Sequence, residues 1–204
     1  MIRQNALFRF HSDGYYFCMT MPRRGNPWKT ISSREIYRNP WLRLREDKVI
    51  KPDGSEGIYG VVEARLAVGV VAITPLREIY LVGQWRYPLN AYSWEIIEGG
   101  GDPQEDALVT ATRELREEAG LVAKKWQPLG GEAHLSNSFS SERAVFFLAE
   151  DLSEVGAEPD DTEVLELRRV KFEEAFEMVD RGEITDAMSI IAIHRLSRIY
   201  GKDE

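Results

Sequence analysis

The segment from Gly99 to Leu121 constrains this chain more tightly than any other. Gly99, Gly100 and Gly101 are followed by Asp102, a good N-cap residue, by Pro103, which suits a first helical position, and by Glu105, placed to close a capping box. The helix announced in this way runs to about Ala119, with Gly120 as its C′ residue. At about 100° per residue, Leu108, Ala111, Leu115 and Ala119 share an arc of roughly 80°, the stripe expected to be buried. Glu114, Glu117 and Glu118 fill a separate arc of roughly 100° on its flank. Carboxylates at i, i+3 and i+4 repel one another by roughly a few tenths of a kcal/mol per pair, and the C-terminal half of a helix disfavours anions further. Two readings follow. Either the face is solvated, with Arg113 and Arg116 as ordinary neighbours, or its oxygens hold a hard divalent cation, Mg²⁺ or Mn²⁺, with positions left for water and a substrate phosphate.

Charge narrows the partners. The 26 Lys+Arg against 34 Asp+Glu give a formal net charge of -8. That is the wrong sign for affinity built on neutralising nucleic-acid phosphates or an anionic membrane. With 204 residues, 43% hydrophobic and 29% charged, the chain suits one generous globular domain, or a domain with an arm, and neither a disordered nor a fibrous class. The single Cys18 excludes an intramolecular disulfide and a thiolate-rich zinc site and fits a reducing cytoplasm. His11, His134 and His194 are scattered and form no HExxH-like pair. No apolar run approaches the roughly 20 residues that span a bilayer. Residues 1–21 include Arg3 and Arg9 but neither a clean apolar stretch nor a small-residue cleavage site, so no signal peptide is expected, and Met19 and Met21 are alternative starts.

Up to Gly25 no period is sustained, and Arg23 to Pro27 reads as a linker, which makes residues 1–40 an extension ahead of a domain over 41–204. Trp41 to Ile50 and Gly57 to Glu63 suit strands joined by the turn residues Lys51-Pro52-Asp53-Gly54. Ala67 to Ile73 and Glu78 to Gln84 follow, and the β-branched run Val68, Val70, Val71, Ile73 fits a strand covered on both faces. Further strands are expected at Gln127–Ala133, Arg143–Glu150 and Glu163–Val170, with a Ser-rich loop over Ser136–Glu142. Phe172, Ala175, Phe176 and Val179 mark one helix, and about Asp186 to Tyr200 another. There is no internal repeat. Mixing strands and helices without strict βα alternation argues for an α+β class with a mixed sheet.

Taken whole, the first segment is G-x5-E-x7-R-E-L-R-E-E-A-G-L, from Gly99 through Glu105 and Arg113 to Leu121. At every fixed position it resembles the box of the Nudix hydrolases. The resemblance implies an α/β/α sandwich with a mixed β-sheet, and metal-dependent hydrolysis of a nucleoside diphosphate linked to some further group. Glu114, Glu117 and Glu118 match the metal-binding acids of the box, with Mg²⁺, or Mn²⁺, as cofactor. Arg113 matches the residue that orients one of them, Glu105 the one that secures the loop-helix geometry, and Gly99 and Gly120 the structural glycines. The metal-binding carbonyl beside the box glycine would belong to Glu98 or Gly99. The chemistry is consistent with this, because cations that neutralise phosphate oxygens and activate water supply most of what phosphoryl transfer needs.

From about Asn39 onward the chain is similar to the ADP-ribose and nucleotide-sugar pyrophosphatases. Gln84-Trp85-Arg86-Tyr87 resembles their Gln-Tyr-Arg strand end, which makes Arg86 a pyrophosphate contact and Trp85 a candidate base-stacking residue, against the alternatives of a surface cation and a core or interface tryptophan. Trp94-Glu95-Ile96-Ile97-Glu98-Gly99 resembles W-E-x-P-A-G, adding Glu95 to the substrate-binding candidates. Ser140 to Ala149, Asp161 to Glu166 and Gly182 to Ala187 resemble three further segments in order. Relatives place an additional metal ligand or general base near the second of these. Glu163 is the candidate, among Glu158, Asp160, Asp161 and Glu166. Ser136-Asn137-Ser138 stands where a Ser-Pro-Gly-like turn is usual, and Ile97-Glu98 where Pro-Ala is usual. These departures spare the metal helix but open the substrate choice to GDP- or UDP-sugars. The resemblance also implies that residues 41–62 are dimerisation and base-binding strands of a homodimer. The activity it implies releases a nucleoside monophosphate and a sugar phosphate from ADP-ribose or another nucleoside diphosphate sugar. A nucleotide-sensing module without catalysis and an RNA 5′-end pyrophosphohydrolase are the alternatives, opposed by the complete box and by the net charge respectively.

Overall fold

The computed structural model describes residues 25–102, 104–156 and 164–200. By contact density the chain divides into two compact units, one running up to Arg34 together with Glu46–Tyr59, the other made of Glu35–Arg45 and everything from Gly60 onward. Three strands, β1 (Lys29–Arg38), β2 (Leu42–Ile50) and β3 (Glu56–Ala64), form a sheet in that order. Strand β1 thus lies within the 1–40 extension, after the Arg23–Pro27 segment, where no strand was expected. Its alternation is weak because all ten of its residues are exposed, so no buried face writes a pattern into the sequence. In the first unit Trp28 packs edge-on against Tyr59, and the Lys51 N–H closes the β2–β3 turn onto the Ser55 carbonyl.

The second unit carries the core. A five-stranded sheet contains β7 (Ile97–Gly100), β4 (Leu66–Ala72), β10 (Arg143–Glu154) and β8 (Leu121–Pro128) in that order, with short β9 (Ala133–His134) also paired to β10. A three-stranded sheet has the order β11 (Glu166–Lys171), β5 (Glu78–Arg86), β6 (Ala91–Glu95). β10 runs parallel to β4 while β8 and β7 pair antiparallel, so the sheet is mixed, as expected. Period-2 alternation divides the apolar residues between two layers. Val68, Val70 and Ala72 of β4, with Tyr80 and Val82 of β5, face Ala111, Leu115 and Ala119 of α1 (Ala107–Ala119). Val71, Ile79, Leu81, Phe146 and Leu148 face the opposite way, against α2 (Phe172–Asp180) and α3 (Ala187–Tyr200). The result within this unit is sheet between helices, because a strand row such as Val68 to Ile73 is apolar on both faces and needs cover on both.

Three expectations are corrected here. Helix α1 starts at Ala107 with Asp106 as its N-cap, whose carboxylate accepts from the Leu108 N–H at 2.8 Å. Asp102 instead begins a tight turn in which its carbonyl accepts from the Glu105 N–H, and the Glu105 carboxylate takes the Thr110 hydroxyl at 2.7 Å rather than closing a capping box. The buried face of the helix also differs from the expected stripe: Ala111, Leu115 and Ala119 are buried as expected, but Leu108 is exposed, and Thr110, Glu114 and Glu118 are buried as well. Finally, the strand expected at Gln127–Ala133 lies earlier, at Leu121–Pro128. Gly120, in the left-handed region at φ 63°, turns the chain straight from α1 into β8, and pairing with β10 fixes the register.

Candidate active site

The site is built where α1 lies against β7. Gly99 has no side chain, and a Cβ there would come within 1.9 Å of Glu114 Cδ and 2.0 Å of its Oε1. A side-chain-free backbone is thus what lets the Glu114 carboxylate settle against the strand. One turn on, Glu118 Oε2 accepts the Glu98 N–H at 3.0 Å. Glu114 and Glu118 are both largely withdrawn from solvent, and Glu117 sits beside them at partial exposure. Arg113 spans the group: its Nη1 lies 2.7 Å from Glu114 Oε1 and 2.9 Å from Glu117 Oε2, while its Nη2 donates to the Gly100 carbonyl at 3.3 Å and lies 3.5 Å from Glu105. Burial works against the Arg113 charge, but the carboxylates of Glu114 and Glu117 outweigh it and hold the guanidinium firmly protonated. For Glu105 the Thr110 hydrogen bond is the main influence, and with Arg113 it keeps the carboxyl below its ordinary value.

A second group lies at the end of β5. Arg86 grips Glu95 through Nε at 2.9 Å and through a close Nη2 contact to Oε2, and the Gln84 amide reaches the same oxygen at 3.4 Å. Glu95 is 2% exposed and raises the Arg86 pKa by hydrogen bonding to it, with Glu98 and Glu118 contributing at longer range. Glu95 is therefore occupied as the anchor of Arg86 rather than open to a substrate group. Strand alternation sends Trp85 to the opposite face from Arg86, where it is exposed across from Tyr92. The structure thus does not bring Trp85 to the Arg86 side. The Glu98 side chain is half-buried and hydrogen-bonded to Ser189 at 3.1 Å, and desolvation, with Asp186 nearby, pushes its carboxyl well above the usual range. Only its backbone points at the acids of α1. Glu163, with Glu158, Asp160 and Asp161, falls outside the described residues.

Sequence reasoning missed two residues that hold this arrangement, Thr110 and Ser189, and had Asp186 as the start of the last helix without a part in the site. Asp186 accepts the Ser189 N–H at 2.7 Å at the start of α3, a capping signal legible in the sequence. An open groove of about 640 Å³ adjoins the start of the box, lined by Trp41, Arg43, Arg65, Gly101, Asp102 and Glu105 among others. Among the described residues no three His, Cys, Asp or Glu side chains already converge as a metal-holding group. The donor set still fits a hard cation in kind. It offers carboxylate oxygens at i, i+3 and i+4, two of them buried, with Arg113 shared between Glu114 and Glu117, and such a set favours Mg²⁺ or Mn²⁺ over a softer metal.

Comparison with known proteins bears on the family and the fold. Residues 28–62 match the nucleoside diphosphate sugar hydrolase N-terminal domain, and residues 63–188 match the NUDIX domain. The ADP-ribose pyrophosphatase of Bacillus subtilis (strain 168) is 35% identical over 170 residues, covering 82% of this chain and 91% of that protein. The ADP-ribose pyrophosphatase of Mycobacterium tuberculosis is 34% identical over 179 residues, covering 83% of this chain and 84% of the relative. The methanol dehydrogenase activator of Bacillus methanolicus is 33% identical over 170 residues, with 82% and 91% covered. A crystal structure of an ADP compounds hydrolase superposes with a TM-score of 0.78 over 89% of this chain and 99% of that one, at 19% identity, a likeness of fold.

Proposed function

The chain belongs to the Nudix hydrolase family, and from that premise we propose that it hydrolyses the diphosphate of ADP-ribose, or of a related nucleoside diphosphate sugar, to a nucleoside monophosphate and a sugar phosphate. The observation that carries this reading is the packing of Glu114 and Glu118 against the β7 backbone at Gly99 and Glu98, with Arg113 shared between Glu114 and Glu117. Glu114, Glu117 and Glu118 would hold Mg²⁺ or Mn²⁺, which when bound neutralises the phosphate oxygens and makes water a better nucleophile. In the reaction a water oxygen bonds to one phosphorus, the bridging P–O bond breaks, and the water proton passes to a carboxylate. Arg113 keeps Glu114 and Glu117 in place for this, and Arg86, anchored by Glu95, offers its remaining N–H groups to the diphosphate. Glu163 is our candidate for the additional acid. Trp41 and Arg43 line a groove that suits the remainder of the substrate. We further place the enzyme in a reducing cytoplasm, on its single Cys18, and read it as a homodimer.

The test is a panel of ADP-ribose, UDP-sugars and GDP-sugars with analysis of the released phosphates, run with Glu118→Gln alongside. Turnover of at least one diphosphate sugar is expected, falling by about 100-fold or more in the variant, the scale of losing one preorganised electrostatic element. Undiminished turnover in Glu118→Gln would remove the acids of α1 from the mechanism.

A further inference from the structure

Ile96 is the one residue between two ladders. Glu95 before it pairs with Val82 in the three-stranded sheet, and Ile97 after it pairs with Val70 in the five-stranded sheet. Where the chain changes sheets the Ile96 N–H is buried beyond the reach of water, and a buried donor must find a partner. It finds the hydroxyl of Ser189 at 2.9 Å, 93 residues away on α3. Ser189 is fully buried, and the same hydroxyl donates to Glu98 Oε1 at 3.1 Å, so its acceptor and donor capacities are both used. Asp186 Oδ2 holds the Ser189 N–H at 2.7 Å and so fixes the first turn of α3. Two residues past Ile96, the Glu98 N–H donates to Glu118 Oε2 at 3.0 Å.

We propose that Ser189 is a positioning residue for the metal-holding face of α1: by pinning Ile96 and the Glu98 side chain it sets the β7 backbone whose N–H aims Glu118. It touches neither substrate nor metal. A residue that merely filled the core would not need two hydrogen bonds directed at the strand that holds the acid. Without the hydroxyl, the crossover at Ile96 relaxes, the Glu98 N–H shifts with it, and Glu118 loses a fixed orientation.

The proposal rests on the hydrolase reading above. It is tested on the whole chain by Mn²⁺ binding without substrate, followed by electron paramagnetic resonance of the free ion, and by steady-state hydrolysis of ADP-ribose. In Ser189→Ala, Mn²⁺ affinity and kcat should each fall about 10- to 100-fold, the scale for outer-shell partners of metal ligands. KM for ADP-ribose should move by less than about threefold, since the substrate contacts are untouched. Ser189→Thr, which keeps the hydroxyl, should recover most of both losses. Unchanged Mn²⁺ affinity and kcat in Ser189→Ala would overturn the proposal, as would a loss confined to KM or no recovery in Ser189→Thr. Should Ser189→Ala fail to fold, Ser189→Cys keeps the size with a weaker donor and acceptor; reduced Mn²⁺ affinity there supports the proposal, and wild-type affinity overturns it. Wild-type protein that binds Mn²⁺ but hydrolyses none of the panel would end the hydrolase reading while the binding measurements still decide the role of Ser189. Wild-type protein that binds no Mn²⁺ would end both.

Discussion

At Gly99 the side chain that is absent matters as much as those present. The atoms a Cβ would strike are the end of the Glu114 side chain, not backbone, so an alanine can be admitted if that carboxylate swings aside. No left-handed backbone is involved, and the fold itself loses little. Gly99→Ala should therefore separate stability from function: a thermal midpoint within about 4 °C of wild type, with hydrolysis of ADP-ribose reduced about tenfold or more because one of the three acids has moved. A midpoint collapse would mean that the glycine serves packing alone. This residue was legible beforehand because the glycine, the glutamates and the arginine stand at fixed separations in one segment. Ser189 was not. In Ala187-Met188-Ser189-Ile190-Ile191 it reads as a small polar interruption of an apolar helix, and its partners Glu98 and Ile96 are 91 and 93 residues away, beyond what any spacing rule can join.

Helix α1 illustrates how far an element can be read locally. Its C-terminal end agreed with expectation because Gly120 combines the left-handed φ with direct hydrogen bonding back to the last turn, both local properties. Its start was displaced because Asp102 and Asp106 are both suitable caps, and the choice falls to the turn between Asp102 and Glu105 and to the Thr110 hydroxyl that takes the Glu105 carboxylate. The expected stripe holds at Ala111, Leu115 and Ala119, but the buried face extends beyond it. Hydrophobic periodicity assumes carboxylates face water, whereas Glu114 and Glu118 face inward and Leu108 is left outside. The boundaries of β8 were set by its partner β10 rather than by its own propensity. The cap assignment is testable by calorimetry. Asp106→Ala should cost about 1 kcal/mol, lowering the midpoint by roughly 2–4 °C in a domain of this size. Asp102→Ala, which among the described residues gives up a surface pair with Arg65, should cost less, about 0–1 kcal/mol. The reverse order would return the cap to Asp102.

At the scale of the whole molecule, the acidic surplus and the N-terminal strands bear on different questions. Three acids of the surplus, Glu114, Glu117 and Glu118, lie together on α1, where a bound cation would offset them, so an anionic diphosphate and an acidic protein are compatible partners. The strands bear on assembly. β1 is exposed along its whole length and leaves Ile31, Ile36 and Tyr37 uncovered, while Ile58 of β3 is uncovered as well. Exposed apolar side chains along one strand are a surface that association can cover, and in a pure preparation the partner is a second copy of the chain. Pairing through a shared axis would place the same strand on both sides of the interface, so a single charged substitution is introduced twice. Sedimentation velocity at about micromolar concentration should accordingly give a dimer. Ile36→Glu should shift it toward monomer, because two carboxylates would have to be desolvated in one apolar contact. A wild-type monomer across that range would leave the exposed strand without a homodimeric explanation, whereas a dimer indifferent to Ile36→Glu would move the interface away from this part of β1.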